Sequence, residues 1–272
     1  MCPLIFLQRM NDYAVYYNDP EAIQSNLYSK KSNDGVINMG LNVSFKRSSQ
    51  FQQIPEGHYG AASLLGTGFA TKMNILENVG GFRFKSLVED EYEELTIQLH
   101  DGSIRFIPDA YVVNENYSKL SQAKRGLTRW SRGSCECFLR MIIPSLLRLV
   151  AHPFQIKSWH IFCRINSLSK AQSLILLWIN WCLLLLNNHI DVTINLDSRI
   201  LWIIGILNLI MSLNTIIVEN LYVLLRDYTL WQTIIIVLKA YIFQMLYQLI
   251  NVWAVLTWFK KQWIVLEHGK AK

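Results

Sequence analysis

Polar and apolar positions are mixed over residues 1–135, whereas residues 173–259 carry long apolar runs with almost no charge. That contrast predicts an α/β segment followed by an α-helical membrane segment. Within the first part, Leu7–Tyr17 reads as a short helix, followed to residue 60 by strand and loop material rich in Asn, Ser and Gln. Ala61–Thr71 is small and apolar around Gly66-Thr67-Gly68. A helical stretch over Lys72–Val79 then stops at Gly80-Gly81. Val88–His100 opens on acids and carries Leu95, Ile97 and Leu99, which predicts a helix. Arg105-Phe106-Ile107 before Pro108, and then Tyr111–Val113, read as two short strands with a turn between them. From Ser121 to about Val150, Trp130, Phe138, Met141, Ile142 and Leu146 interleave with Arg129, Arg132, Arg140 and Arg148. Next to a membrane segment this pattern suits an interfacial helix, although a soluble surface helix has the same periodicity.

Three apolar segments follow: Leu174–Leu186, Ile200–Val218 and Ala240–Phe259. The first is too short to span unless its ends extend it. The second is long enough, with Asn208 and Asn214 requiring partners inside a bundle. The third, bounded by Lys239 and Lys260-Lys261, is the clearest span. Both the Lys119–Lys170 flank and the tail Lys260, Lys261, Lys270 and Lys272 have the basic character of cytoplasmic segments. Three full crossings would separate them. Two crossings plus one interfacial or re-entrant segment keep them on one side, with Leu174–Leu186 as the weakest member. The divisions are therefore an α/β part over 1–135, interfacial or linker helices over 136–172, two to three membrane helices over 173–259 and a basic tail over 260–272. The expected location is the plasma membrane, multi-pass, with the α/β part cytoplasmic.

The net charge of +6 gathers ahead of the first apolar run. Its position fits a membrane surface or a phosphate group, and no nucleic-acid-binding motif accompanies it. Cys2, Cys135, Cys137, Cys163 and Cys182 form no CxxC pair and no disulfide framework, so reduced thiols are expected. The N-terminal apolar stretch is too short for a signal peptide.

Candidate chemistry lies in Glu89-Asp90-Glu91 and Glu93-Glu94. Acids in a first helical turn complement the helix dipole, which is their bland reading. The functional reading is a carboxylate base that takes a proton from a sugar hydroxyl. A Gly-Thr-Gly turn upstream and Arg129-Trp130 downstream strengthen it. A guanidinium clamps diphosphate through paired hydrogen bonds, and an indole offers a flat apolar face to a sugar ring.

Five ordered elements carry a resemblance: Gly66-Thr67-Gly68-Phe69, Asn78-Val79-Gly80-Gly81-Phe82, Leu87-Val88-Glu89-Asp90, Pro108-Asp109-Ala110 and Arg129-Trp130-Ser131-Arg132-Gly133. Together they resemble the C-terminal half of membrane-bound, processive-type family 2 glycosyltransferases, the group of cellulose, hyaluronan, chitin and poly-N-acetylglucosamine synthases. The tail from Phe259 to His268 resembles that of some bacterial members. The resemblance implies a partial glycosyltransferase-A-like α/β domain over 1–135. It also implies an inverting transfer from a UDP-hexose or UDP-N-acetylhexosamine to a glycan acceptor in polysaccharide synthesis. By the same resemblance Asp90 is the catalytic base and Glu89 its motif partner. Arg129 meets the donor diphosphate, Trp130 lines the acceptor site, and Gly66 and Thr67 form the turn near the acceptor terminus. Val88 replaces the family's Thr before Glu-Asp, and Gly126 stands where the Gln of Gln-x-x-Arg-Trp is expected.

The resemblance also implies Mg2+ or Mn2+ held through an Asp-x-Asp motif, which is absent before Gly66. Metal ligands and the nucleotide-binding half are therefore expected from outside this sequence, through truncation, a split gene or a separate partner chain. The other expectation consistent with these features is a non-catalytic membrane subunit or inactive remnant of a polysaccharide-synthesis assembly.

Overall fold

The computed structural model describes residues 5–30, 35–78, 86–117, 119–168, 202–203, 206 and 220–260. Gly80-Gly81, Leu174–Leu186, most of Ile200–Val218 and the tail beyond Lys260 lie outside the described residues.

Helix α1 (Phe6–Tyr16) leads into strand β1 (Ala22–Ser29). Helix α2 (Val36–Ser48) continues through a π-helical turn, Ser49–Gln53, into the short helix α3 (Ile54–His58). Strand β2 (Phe69–Thr71), α4 (Met73–Asn78), α5 (Glu89–Leu99) and β3 (Ile104–Asn114) complete the α/β part. The long α6 (Leu120–Ala151) and α7 (Ile156–Leu168) follow, and α8 (Asn220–Leu225) and α9 (Leu230–Leu256) close the described chain. Helix α6 runs unbroken across residue 135.

Among the described residues one mixed sheet forms, in the order β2-β1-β3, with β1 antiparallel to β2 and parallel to β3. The two short strands expected around Pro108 are one strand. Its register steps from Ser25↔Ile107 to Asn26↔Tyr111, leaving Pro108, Asp109 and Ala110 outside the ladder. Proline has no N–H to donate, so a bulge accommodates it without ending the strand.

Strand β1 is central and buried on both faces from Ala22 to Leu27, although Gln24, Ser25 and Asn26 lie in its middle. Helix α2 packs on β1 and on α9. Its Gly40 admits the ring of Phe243, whose atoms occupy the space that a Cβ would need. The core divides into clusters. Ala22, Ala62, Leu64, Ile97, Ile104 and Phe106 join the sheet to α5, while Val88, Leu95, Cys137, Met141, Ile161 and Ile165 join α5 to α6 and α7. These two clusters fix the start of α5 between the sheet and α6, and that placement builds the site.

Candidate active site

The segment Ala62–Gly68 has no regular structure, yet buried side chains from three elements hold its backbone. Gln53 accepts from the Ser63 N–H at 3.0 Å and donates to the Ser63 carbonyl at 3.1 Å. Glu94 accepts from the Leu64 N–H at 3.0 Å. Gln24 accepts from the Leu65 N–H at 2.9 Å and donates to the Thr67 carbonyl at 2.9 Å. The Ser25 N–H donates to the Gly68 carbonyl at 2.9 Å. A buried backbone group without a partner is costly, so each of these side chains specifies the path of the loop.

The loop turns through Gly66 and Gly68, at φ 69° and 65°. This left-handed region suits glycine. A Cβ on Gly66 would lie 2.8 Å from Asp90 Oδ2, so the turn rests against that carboxylate. Replacing Gly66 with Ala adds left-handed strain of about 1–2 kcal/mol and pushes Asp90 away. Thermal unfolding is expected to shift down accordingly, and an unchanged melting temperature would show that the loop yields freely.

Glu89, Asp90 and Glu91 form the first turn of α5, where unpaired N–H groups and the helix dipole favour carboxylates. Burial pushes the Asp90 carboxyl up to about 7, with the neighbouring Glu91 charge adding to the rise. Helix α6 crosses this turn closely. A Cβ on Gly133 would lie 2.7 Å from Val88 Cγ2 and 2.9 Å from its backbone N. One helical turn earlier on the same face, Arg129 donates to the Leu87 carbonyl at 2.8 Å. Ser134 donates to Glu91 at 2.6 Å. Arg129 and Ser134 thus clamp the segment that presents Asp90.

Gly66, Thr67, Glu89, Asp90, Arg129 and Trp130 all line one cavity of about 360 Å3, together with Leu27, Phe45, Asn114 and Arg164 among others. All six residues singled out in the sequence therefore meet in one place. The volume lies in the range of small-molecule sites. Position 126 also has a structural account, because the Tyr117 hydroxyl occupies the space of a side chain there. The Tyr117 ring sits 6.1 Å from that of Trp130.

Sequence reasoning missed Gln24, Gln53 and Arg164, and placed Glu94 only within an acidic run, without its partner. Arg164 on α7 pairs with the fully buried Glu94, Nε to Oε1 at 2.8 Å and Nη2 to Oε2 at 3.3 Å. Burial pushes the Glu94 carboxyl up, and Arg164 draws it part of the way back. Burial works against the Arg164 charge, but Glu94 outweighs it and holds the guanidinium pKa above its ordinary value. In the sequence Glu94 is one of several acids and Arg164 one of many basic residues, with no signal separating them from solvated charges.

Among the described residues no group of three His, Cys, Asp or Glu side chains could hold a metal ion. The described residues therefore offer no ligand set for the divalent metal that the resemblance implies, and no chemistry is derived through it.

No protein-family model matches the chain. It is similar to the probable glycosyltransferase YdaM of Bacillus subtilis (strain 168), at 35% identity over 83 residues. The match covers 30% of this chain and 19% of that protein's length. The similarity supports a glycosyltransferase relationship.

Proposed function

We propose, with that relationship as premise, that the chain is the acceptor-side part of an inverting, membrane-bound glycosyltransferase of family 2, processive type, in cell-surface polysaccharide synthesis. The donor is a nucleotide sugar, UDP-hexose or UDP-N-acetylhexosamine, and the acceptor is a glycan hydroxyl. The observation that carries the reading is the meeting of Gly66-Thr67, Glu89-Asp90 and Arg129-Trp130 in one cavity. In this reading the acceptor hydroxyl enters beside the Gly66 turn and gives its proton to Asp90 as its oxygen attacks the anomeric carbon. The bond from that carbon to the donor diphosphate breaks, and the electron pair leaves with the diphosphate. A carboxyl with a pKa near 7 suits a base working near neutral pH. Trp130 gives the acceptor ring an apolar face, and Arg129 meets the diphosphate while holding Leu87. Nucleotide and metal contacts are assigned to protein outside these residues, in a longer chain or a partner. The catalytic part lies on the cytoplasmic face of the plasma membrane.

A UDP-binding measurement on the membrane-embedded chain tests this reading. Binding that weakens at least tenfold in Arg129→Ala is expected. The absence of UDP binding by the chain, alone and together with a nucleotide-binding partner, favours a non-catalytic membrane subunit instead.

A further inference from the structure

By length and composition α9 could cross a bilayer: 27 residues with Lys239 as its single charge. At 1.5 Å per residue it measures roughly 40 Å, more than the hydrocarbon thickness of about 30 Å. Length therefore does not decide its orientation. Its contacts do.

One face of α9 is attached to the α/β part along the helix and just beyond it. At the leading end, Asp227 pairs with Lys46 of α2 at 2.5 Å. Ile236 and Ala240 pack with Val43 of α2 and Leu224 of α8. Phe243 lies over Gly40. Asn251 accepts a hydrogen bond from Ser131 of α6. At the trailing end, Arg132 donates to Thr257 Oγ1 at 2.8 Å and to the Lys260 carbonyl at 3.0 Å. The opposite face is apolar and exposed, through Trp231, Leu238, Leu249, Trp253 and Leu256.

We infer that α9 lies along the membrane surface, with its outward face in the lipid, rather than crossing the bilayer. A crossing α9 would draw α2 and α6 with it. Those helices carry Lys46, Arg129 and Arg132 and wall the cavity that holds Glu89, Asp90 and Glu91, so a crossing would place these charges in hydrocarbon. An in-plane α9 leaves the cavity in water and sinks only the outward face. Exposed Arg226 and Lys260, at the two ends, then meet anionic headgroups. Phe45 and Trp130 line the cavity and also pack in the cluster that receives Phe243, Tyr247 and Ile250. The surface helix is thus the outer support of the cavity wall.

The test reads lipid depth rather than turnover, so its outcome is independent of the sugar-transfer reading. In a chain with its native cysteines replaced by Ala, Leu238→Cys, Leu249→Cys and Leu256→Cys are each labelled with an environment-sensitive fluorophore. The labelled proteins are placed in vesicles of phosphatidylcholine and phosphatidylglycerol carrying nitroxide lipids. Quenching at one shallow depth for all three positions is expected. A gradient that reaches the bilayer midplane overturns the inference and restores a crossing helix. Aqueous emission at all three, or apolar emission without quenching, overturns it as well, because water or protein rather than lipid then covers the face.

Discussion

On the proposed function, an Asp90→Asn chain, assayed together with the protein that supplies the nucleotide and metal contacts, is expected to support sugar transfer about 10²–10⁴-fold more slowly than the parent and to be more stable at pH 8. Both effects have one cause. Raising a carboxyl from its ordinary 3.8 to about 7 corresponds to about 4 kcal/mol at 1.36 kcal/mol per pKa unit. Asp90 faces an open cavity, and water there reduces this to roughly 2 kcal/mol. The folded pKa lies above the unfolded one, so the folded state prefers the protonated acid. Stability is fullest below pH 4, falls as pH rises toward 7 and is level above that. A neutral Asn removes this loss, so unfolding in denaturant should show a gain near 2 kcal/mol at pH 8 and little difference at pH 4. The wild-type rate should fall below pH 7 as the base takes up its proton. A variant as active as the parent would remove Asp90 from the base role. Loss of activity without the stability gain at pH 8 would instead remove burial as the origin of the raised pKa.

The second large effect concerns Glu94 and Arg164. Glu94→Ala removes the carboxylate that Arg164 grips through two hydrogen bonds and strips the Leu64 N–H of its acceptor. Breaking one side of a buried ion pair costs about 3–5 kcal/mol. Arg164→Met should cost less than Glu94→Ala, because Glu94 can take up a proton and keep the Leu64 hydrogen bond. A double variant, Glu94→Gln with Arg164→Met, restores charge balance and keeps an oxygen for Leu64. It should lose markedly less stability than the sum of Glu94→Gln and Arg164→Met. Equilibrium unfolding of the four chains closes the cycle, and additive losses would mean that the pair is not coupled. Because Glu94 holds the loop that carries Gly66, proteolysis within Ala62–Gly68 should quicken in Glu94→Ala before global unfolding.

Much of the site was legible because its signals are local. Gly66-Thr67, Glu89-Asp90 and Arg129-Trp130 are short runs in a fixed order, and such runs survive in the sequence whatever surrounds them. Helices α1, α5 and α6 were legible in outline, α5 from its acidic first turn and its leucines and isoleucine, and α6 from its interleaved apolar and basic positions. Strand β1 was not. Ala22–Ser29 falls within an undivided stretch of strand and loop material, and it becomes the central strand because Gln24 finds both ends of the Leu65–Thr67 turn. Helix α2 was missed for a related reason. Gly40 weakens its intrinsic helical preference, and its packing against Phe243 becomes visible only once α9 is placed.

Taken alone, the sequence determined which residues carry candidate chemistry, the contrast between a polar first part and an apolar second, and an apolar stripe long enough to cross a membrane. Those properties depend on residue type and spacing along the chain. The tertiary structure alone decided that six residues share one cavity and that buried Gln24, Gln53 and Glu94 hold its loop. It also decided that α9 is attached from Asp227 to Lys260 along the α/β part. Whether a polar group is buried and whether an apolar helix crosses or lies flat both depend on what stands opposite, and the sequence does not hold those partners near one another.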